Sequence, residues 1–125
     1  MVAKKTLRII ERKESNFFFF LFAEVIMGNE TKFKHDLVKE IKARFPGAIV
    51  TKLDPSHLQG VPDLLVLYEN HWATLECKKS ANAPARPNQP YYVDLMNKMS
   101  FSSFIFPENK EEVLNEMEQS FSRRS

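Results

Sequence analysis

From Asn29 to Phe45, the residues Phe33, Leu37, Val38, Ile41 and Phe45 recur at the spacing of a single helix face. Lys32, Lys34, Lys39, Lys42 and Arg44 take much of the remainder, so the pattern predicts an amphipathic helix with a basic outer surface. Asn29 is placed to cap its start, and Pro46-Gly47 stops it. Ala48–Leu53 is short, rich in β-branched residues and bounded by turn residues, the signature of a strand. A loop follows over Asp54–Pro62, carrying Pro55, Gly60 and Pro62. Asp63–Tyr68 is nearly all apolar and reads as a strand buried on both faces. Glu69-Asn70-His71 makes a turn, and Trp72–Lys78 returns as the hairpin partner.

After a Pro- and Ala-rich loop over Ser80–Asn88, Gln89–Met99 brings Tyr92, Leu95, Met96 and Met99 to helical spacing. Phe101–Phe106 suits a further strand, ended by Pro107. Lys110–Phe121 predicts a last helix with Val113, Leu114, Met117 and Phe121 on one side and an acidic outer face. The order is αβββαβα, an α/β arrangement without internal repeats, low in complexity only at Phe17–Phe20.

Composition narrows this picture. A chain of 125 residues suits one compact domain, and 43% hydrophobic with 27% charged residues is ordinary for a globular protein. The net charge of +2 is unevenly spread: residues 1–26 hold five Lys/Arg against three Asp/Glu, whereas residues 27–125 are balanced. A balanced domain binds a polyanion only through a local basic patch or bound cations. The lone Cys77 excludes an internal disulfide and fits a reducing, cytoplasmic setting. His35, His57 and His71 are scattered and lack a cysteine cluster, which argues against a zinc site.

Phe17–Ala23 is an unbroken apolar run behind the basic stretch Lys4–Lys13. It ends at Glu24 after seven residues with no small-residue cleavage site, so it makes a poor signal peptide, and it is far short of the about 20 residues a membrane span needs. Met27 opens a segment that reads well as a domain start, and the codons of Glu24-Val25-Ile26 can spell a ribosome-binding sequence. Residues 1–26 are therefore expected to be an N-terminal extension outside the native product, with residues 27–125 as the functional domain. A hydrophobic arm or an added first helix is the alternative.

Three polar residues stand where the apolar pattern would continue. Asp63 opens a buried strand, and Glu76 and Lys78 lie two apart on the next, so both point to one face. A hairpin turning near Asn70 brings Asp63 and Glu76 to the same end of the sheet. Two carboxylates converging there repel unless a cation sits between them, and an oxygen-lined site of that kind suits Mg²⁺. A lysine beside it can orient or deprotonate water and offset charge on phosphorus. Taken singly these signals are weak, since Pro-Asp is common and Glu-x-Lys is usually a solvated pair. Cys77 alternates to the opposite face, without a histidine partner, and reads as a packed core thiol.

Together, Gly60-Val61-Pro62-Asp63 followed by Leu75-Glu76-Cys77-Lys78 resembles the PD-(D/E)XK nuclease motif, over about residues 29–106. The compact length is most similar to small phage and virus-type replication-repair (VRR-NUC-like) endonucleases, and junction resolvases share the core. The resemblance implies a restriction-endonuclease-like αβββαβ core, with a mixed central sheet flanked by helices. It also implies that Asp63, Glu76 and the Cys77 backbone carbonyl hold Mg²⁺ or Mn²⁺ while Lys78 acts on the attacking water.

Members often add an acid from the first helix. Glu30 is the natural candidate, in a first turn where the helix dipole favours a carboxylate; plain capping is its alternative. Gln89-x-x-Tyr92 resembles the Q-x-x-Y element of some branches, with Gln89 reaching the site. Lys79 and Arg86 flank the site as phosphate contacts, or are simply solvated, and His57 is a weaker DNA contact. The implied partner is DNA, with no membrane association, and a homodimer would be needed to cut both strands in concert. The competing reading is a nuclease fold kept only as a nucleic-acid-binding or protein-interaction module.

Overall fold

The computed structural model describes residues 15–123, with side chains from Glu30 onward. The basic stretch Lys4–Lys13 lies outside the described residues. The chain divides into two units between Lys32 and Phe33.

Helix α1, Ser15–Arg44, crosses that division without a break. The helix therefore does not start at Asn29 as expected: Asn29 is an interior helical residue. No proline interrupts Ser15–Glu30, and the single Gly28 costs only about 1 kcal/mol, too little to end a helix whose other residues sustain it. Pro46 and Gly47 stop it as expected, with Gly47 at φ +90°.

In the unit beginning at Phe33, β1 (Ile49–Lys52), β2 (Leu64–Tyr68), β3 (His71–Cys77) and β4 (Phe101–Ile105) form one mixed sheet in the order β1-β2-β3-β4. The first three strands are antiparallel, and β4 runs parallel to β3 after the crossover helix α2 (Gln89–Met99). Helix α3 (Lys110–Arg123) closes the unit. This is the αβββαβα order that the sequence pattern predicts, with the mixed central sheet that the resemblance implies and strand ends differing by at most one residue.

Strand β3 is central, and its two faces differ. Ala73, Leu75 and Cys77 enter an apolar core with Leu37, Ile41, Leu64, Val66, Ile105, Leu114 and Met117. The alternate residues Thr74 and Glu76, followed by Lys78, meet α2 on the opposite face. Both faces are buried, so the chemistry-bearing side chains lie under a helix and not in open water. At the far end of the sheet, Tyr68 and His71 stack on Phe121, and Phe45 meets Tyr68 and Phe121 edge-on. Arg44 reaches across to Glu118 at 2.9 Å and also bonds Asn115, while Lys110 meets Glu40 at 2.8 Å. The acidic face of α3 thus meets the basic end of α1, an arrangement in which each helix neutralises the other.

Candidate active site

The hairpin register decides where the carboxylates meet. Leu64 pairs with Leu75, so Asp63 and Glu76 are the next opposed positions, at the end of the sheet away from the turn. Asp63 Oδ2 accepts the backbone N–H of Cys77 at 2.9 Å, which locks its carboxylate against β3. The Asp63 carbonyl also accepts Leu53 N–H at 2.8 Å, tying it to the end of β1.

Glu76 is 3% exposed. Its Oε2 accepts Gln89 Nε2 at 2.9 Å and lies 3.9 Å from Lys78 Nζ. Its Oε1 is buried with no hydrogen-bond partner. Loss of hydration first, then the Asp63 charge, push the Glu76 carboxyl up to about 8, only partly opposed by Lys78 and Lys34. A buried carboxyl with one oxygen unanswered, facing a second carboxylate, carries a repulsion that either a proton or a cation relieves.

Lys78 is also buried, and its ammonium is held on several sides. Nζ donates to Gln89 Oε1 at 2.8 Å and to the Pro84 carbonyl at 3.2 Å, and lies 5.8 Å from the centre of the Phe104 ring. Gln89 therefore bridges the pair: its oxygen takes the lysine and its amide takes the glutamate. Since an ammonium only donates, this orientation of the Gln89 amide is chemically required. The Arg86 N–H adds a third bond, to the same Gln89 oxygen, at 2.7 Å.

Local sequence puts Gln89 in reach. Asn88 precedes α2 in a left-handed conformation at φ 70°, and Pro90 fits the first turn, where its missing N–H is no loss. The loop carrying Gly60 packs on that point. Gly60 has φ +92°, and a Cβ there would lie 2.5 Å from Asn88 Cβ and 2.8 Å from its carbonyl carbon. Only glycine lets the loop leading into Pro62-Asp63 approach the start of α2 so closely.

Of the residues singled out from sequence, Asp63, Glu76, Lys78 and Gln89 converge. Cys77 is fully buried in the core, as a packed thiol should be. Lys79, Arg86 and His57 are exposed. Tyr92 is half-buried, edge-on to the exposed Tyr91 at 5.1 Å. Glu30 is exposed in the interior of α1, within the first unit, so its expected first-turn position and the dipole argument attached to it are withdrawn. Among the described residues, no three His, Cys, Asp or Glu side chains converge in a metal-ligand group.

Lys34 belongs to the basic outer surface that the sequence predicts, yet its Nζ stands 3.4 Å from Asp63 Oδ1. The available signal was its spacing: three and four residues before Leu37 and Val38, it falls on the inward stripe. The Pro84 carbonyl left no signal, because a backbone acceptor is placed only by the loop's path.

No protein-family model matches the chain, and no curated protein matches it. The chain is similar to a solved structure described as "VRR_NUC domain", with 29% identity over 58% of this chain and 81% of that one, and a TM-score of 0.45. No helix among the described residues is long and apolar enough to cross a membrane.

Proposed function

We propose that this protein is a metal-dependent endonuclease that hydrolyses phosphodiester bonds in DNA. The observation that carries the reading is the buried, unanswered Glu76 Oε1 set against Asp63, beside a lysine immobilised by Gln89. An unpaired buried acceptor lowers stability, a cost that a purely structural ion pair has no reason to carry.

Asp63, Glu76 and the Cys77 carbonyl would hold Mg²⁺ or Mn²⁺. Two carboxylates plus a carbonyl leave positions for water and phosphate oxygens, as these hard cations prefer. When bound, the ion supplies Lewis acidity and charge compensation for attack on phosphorus.

The remaining chemistry belongs to the chain. Gln89 and Pro84 hold the Lys78 ammonium still, so it orients the attacking water and offsets charge gathering on phosphate oxygens. Gln89 also keeps Glu76 from turning away. Burial excludes bulk water around this pair and strengthens each interaction. The exposed Lys79 and Arg86, next to the site in sequence, supply phosphate contacts that position a backbone without reading bases.

The substrate we favour is one recognised by shape, as in branched or nicked DNA. A homodimer would then provide paired cuts, and a phage-encoded enzyme acting in the host cytoplasm fits this scheme.

The test incubates the full chain with supercoiled plasmid and with a four-way junction, in Mg²⁺, in Mn²⁺ and in chelator, beside a Lys78→Ala protein. Cleavage that requires metal and disappears in the variant is expected, and junction preference would select the branched substrate. A folded protein that neither cleaves nor binds metal refutes the proposal in favour of a binding module.

A further inference from the structure

Lys34 sits on the inward stripe of α1, one turn before Leu37 and Val38 and two before Ile41, all of which pack in the core. That stripe asks for an apolar side chain. A lysine there gives up rotamer freedom and part of its hydration, so its ammonium needs a partner. The partner is Asp63 Oδ1, at 3.4 Å.

The other Asp63 oxygen is already occupied by the Cys77 N–H, so Lys34 covers the oxygen that would otherwise be open. On the far side, Lys78 lies 3.9 Å from Glu76 Oε2. Asp63 is thus met by an ammonium from α1 and Glu76 by one at the end of β3, so each acidic side chain faces a lysine without a divalent ion.

We propose that Lys34 is the resident counter-ion of this site, occupying Asp63 until a divalent cation exchanges for it. This deepens the metal-dependent reading above and rests on it. An ammonium and a divalent cation repel strongly at contact distance and cannot share one carboxylate oxygen. Metal entry therefore breaks the Lys34–Asp63 pair, and that loss offsets part of the affinity. The side chain is only about one-fifth exposed, yet its long flexible stem lets the ammonium withdraw toward water while its methylenes stay packed. Lys34 in this role sets metal affinity; it holds the acidic site together when empty and weakens the hold on metal.

A merely stabilising ion pair behaves differently. Its loss would lower stability and leave metal affinity unchanged or weaker.

The experiment is calorimetric titration of MnCl₂ alone into the full chain at pH 8, for the wild type, Lys34→Met and Lys34→Arg. Lys34→Met is expected to bind Mn²⁺ roughly tenfold more tightly, and Lys34→Arg to stay within about twofold of wild type. In chelator, Lys34→Met should melt below wild type, with added Mn²⁺ closing the gap. If Lys34→Met does not fold, Lys34→Gln removes the same charge and carries the same expectation. Unchanged or weaker Mn²⁺ binding by the charge-removing variant overturns the role of Lys34 alone. A wild type that takes up no Mn²⁺ overturns the metal-dependent reading as well.

Discussion

Replacing Glu76 with glutamine removes the ionisable group at the centre of the site while keeping its shape. The glutamine carbonyl can still accept the Gln89 amide, and its own N–H₂ would stand where Oε1 lacks a donor and faces Asp63. In the metal-free protein the substitution should therefore stabilise the fold, in a pH-dependent way. Glu76 has an ordinary value of 4.5 and is raised to about 8 in the folded protein, chiefly by burial and then by Asp63. Between those values the unfolded chain releases this proton while the folded chain retains it. Wild type thus loses stability as pH rises from 4.5 to 8, and the loss is complete above 8.

At about 1.4 kcal/mol for each tenfold change, the gap sets a ceiling of roughly 5 kcal/mol. Proton sharing with Asp63, the nearby Lys78 and local relaxation reduce this, so the expected gain for Glu76→Gln is about 2–3 kcal/mol at pH 8 and near zero at pH 4.5. For a domain of this size that is roughly 10 °C in Tm. The assay is urea and thermal unfolding of both proteins in chelator at pH 4.5, 6 and 8. A variant no more stable than wild type at pH 8, or one whose advantage is the same at all three values, refutes the reasoning. Nuclease activity should vanish in the same variant, the mark of a residue kept for function at the expense of stability.

Further predictions follow from the same geometry. Mn²⁺ binding must remove the Glu76 proton, so below pH 8 the apparent affinity should fall by up to about tenfold per pH unit; titrations in buffers of different ionisation heat would count the released proton. Gln89→Ala frees both Lys78 and Glu76, and should lower the cleavage rate by about 10²-fold with an unchanged circular dichroism spectrum. Gly60→Ala forces a Cβ into Asn88 at a positive φ; it should cost about 1–3 kcal/mol in a denaturant melt and reduce activity through displacement of Gln89. Leu75→Ala, on the opposite face of β3, should cost about 2–5 kcal/mol while leaving metal affinity near wild type in protein that remains folded.

Local signals were sufficient where a boundary is made by covalent geometry or by a short-range clash. Helix α2 runs from Gln89 to Met99 as the pattern predicts, because Pro87, Asn88 and Pro90 set its entry and the chain turns at Ser100. The start of α1 was not legible in the same way. Asn29 looks like a cap, but a cap operates only if the preceding residues leave the helix, and Ser15–Gly28 do not.

The period of two along β3 determined, from sequence alone, that Glu76 and Lys78 share one face and that Cys77 takes the other. The hairpin turn at Glu69 and Asn70 determined that Asp63 would oppose Glu76. What only the tertiary structure decided is what surrounds them. Helix α2 covers that face and delivers Gln89 to both side chains, and α1 turns Lys34 inward onto Asp63. Side-chain direction follows from backbone period, a local property of the chain. Burial, charge neighbours and the protonation of Glu76 are sums over groups far apart in sequence, and they exist only once the sheet and its helices have packed.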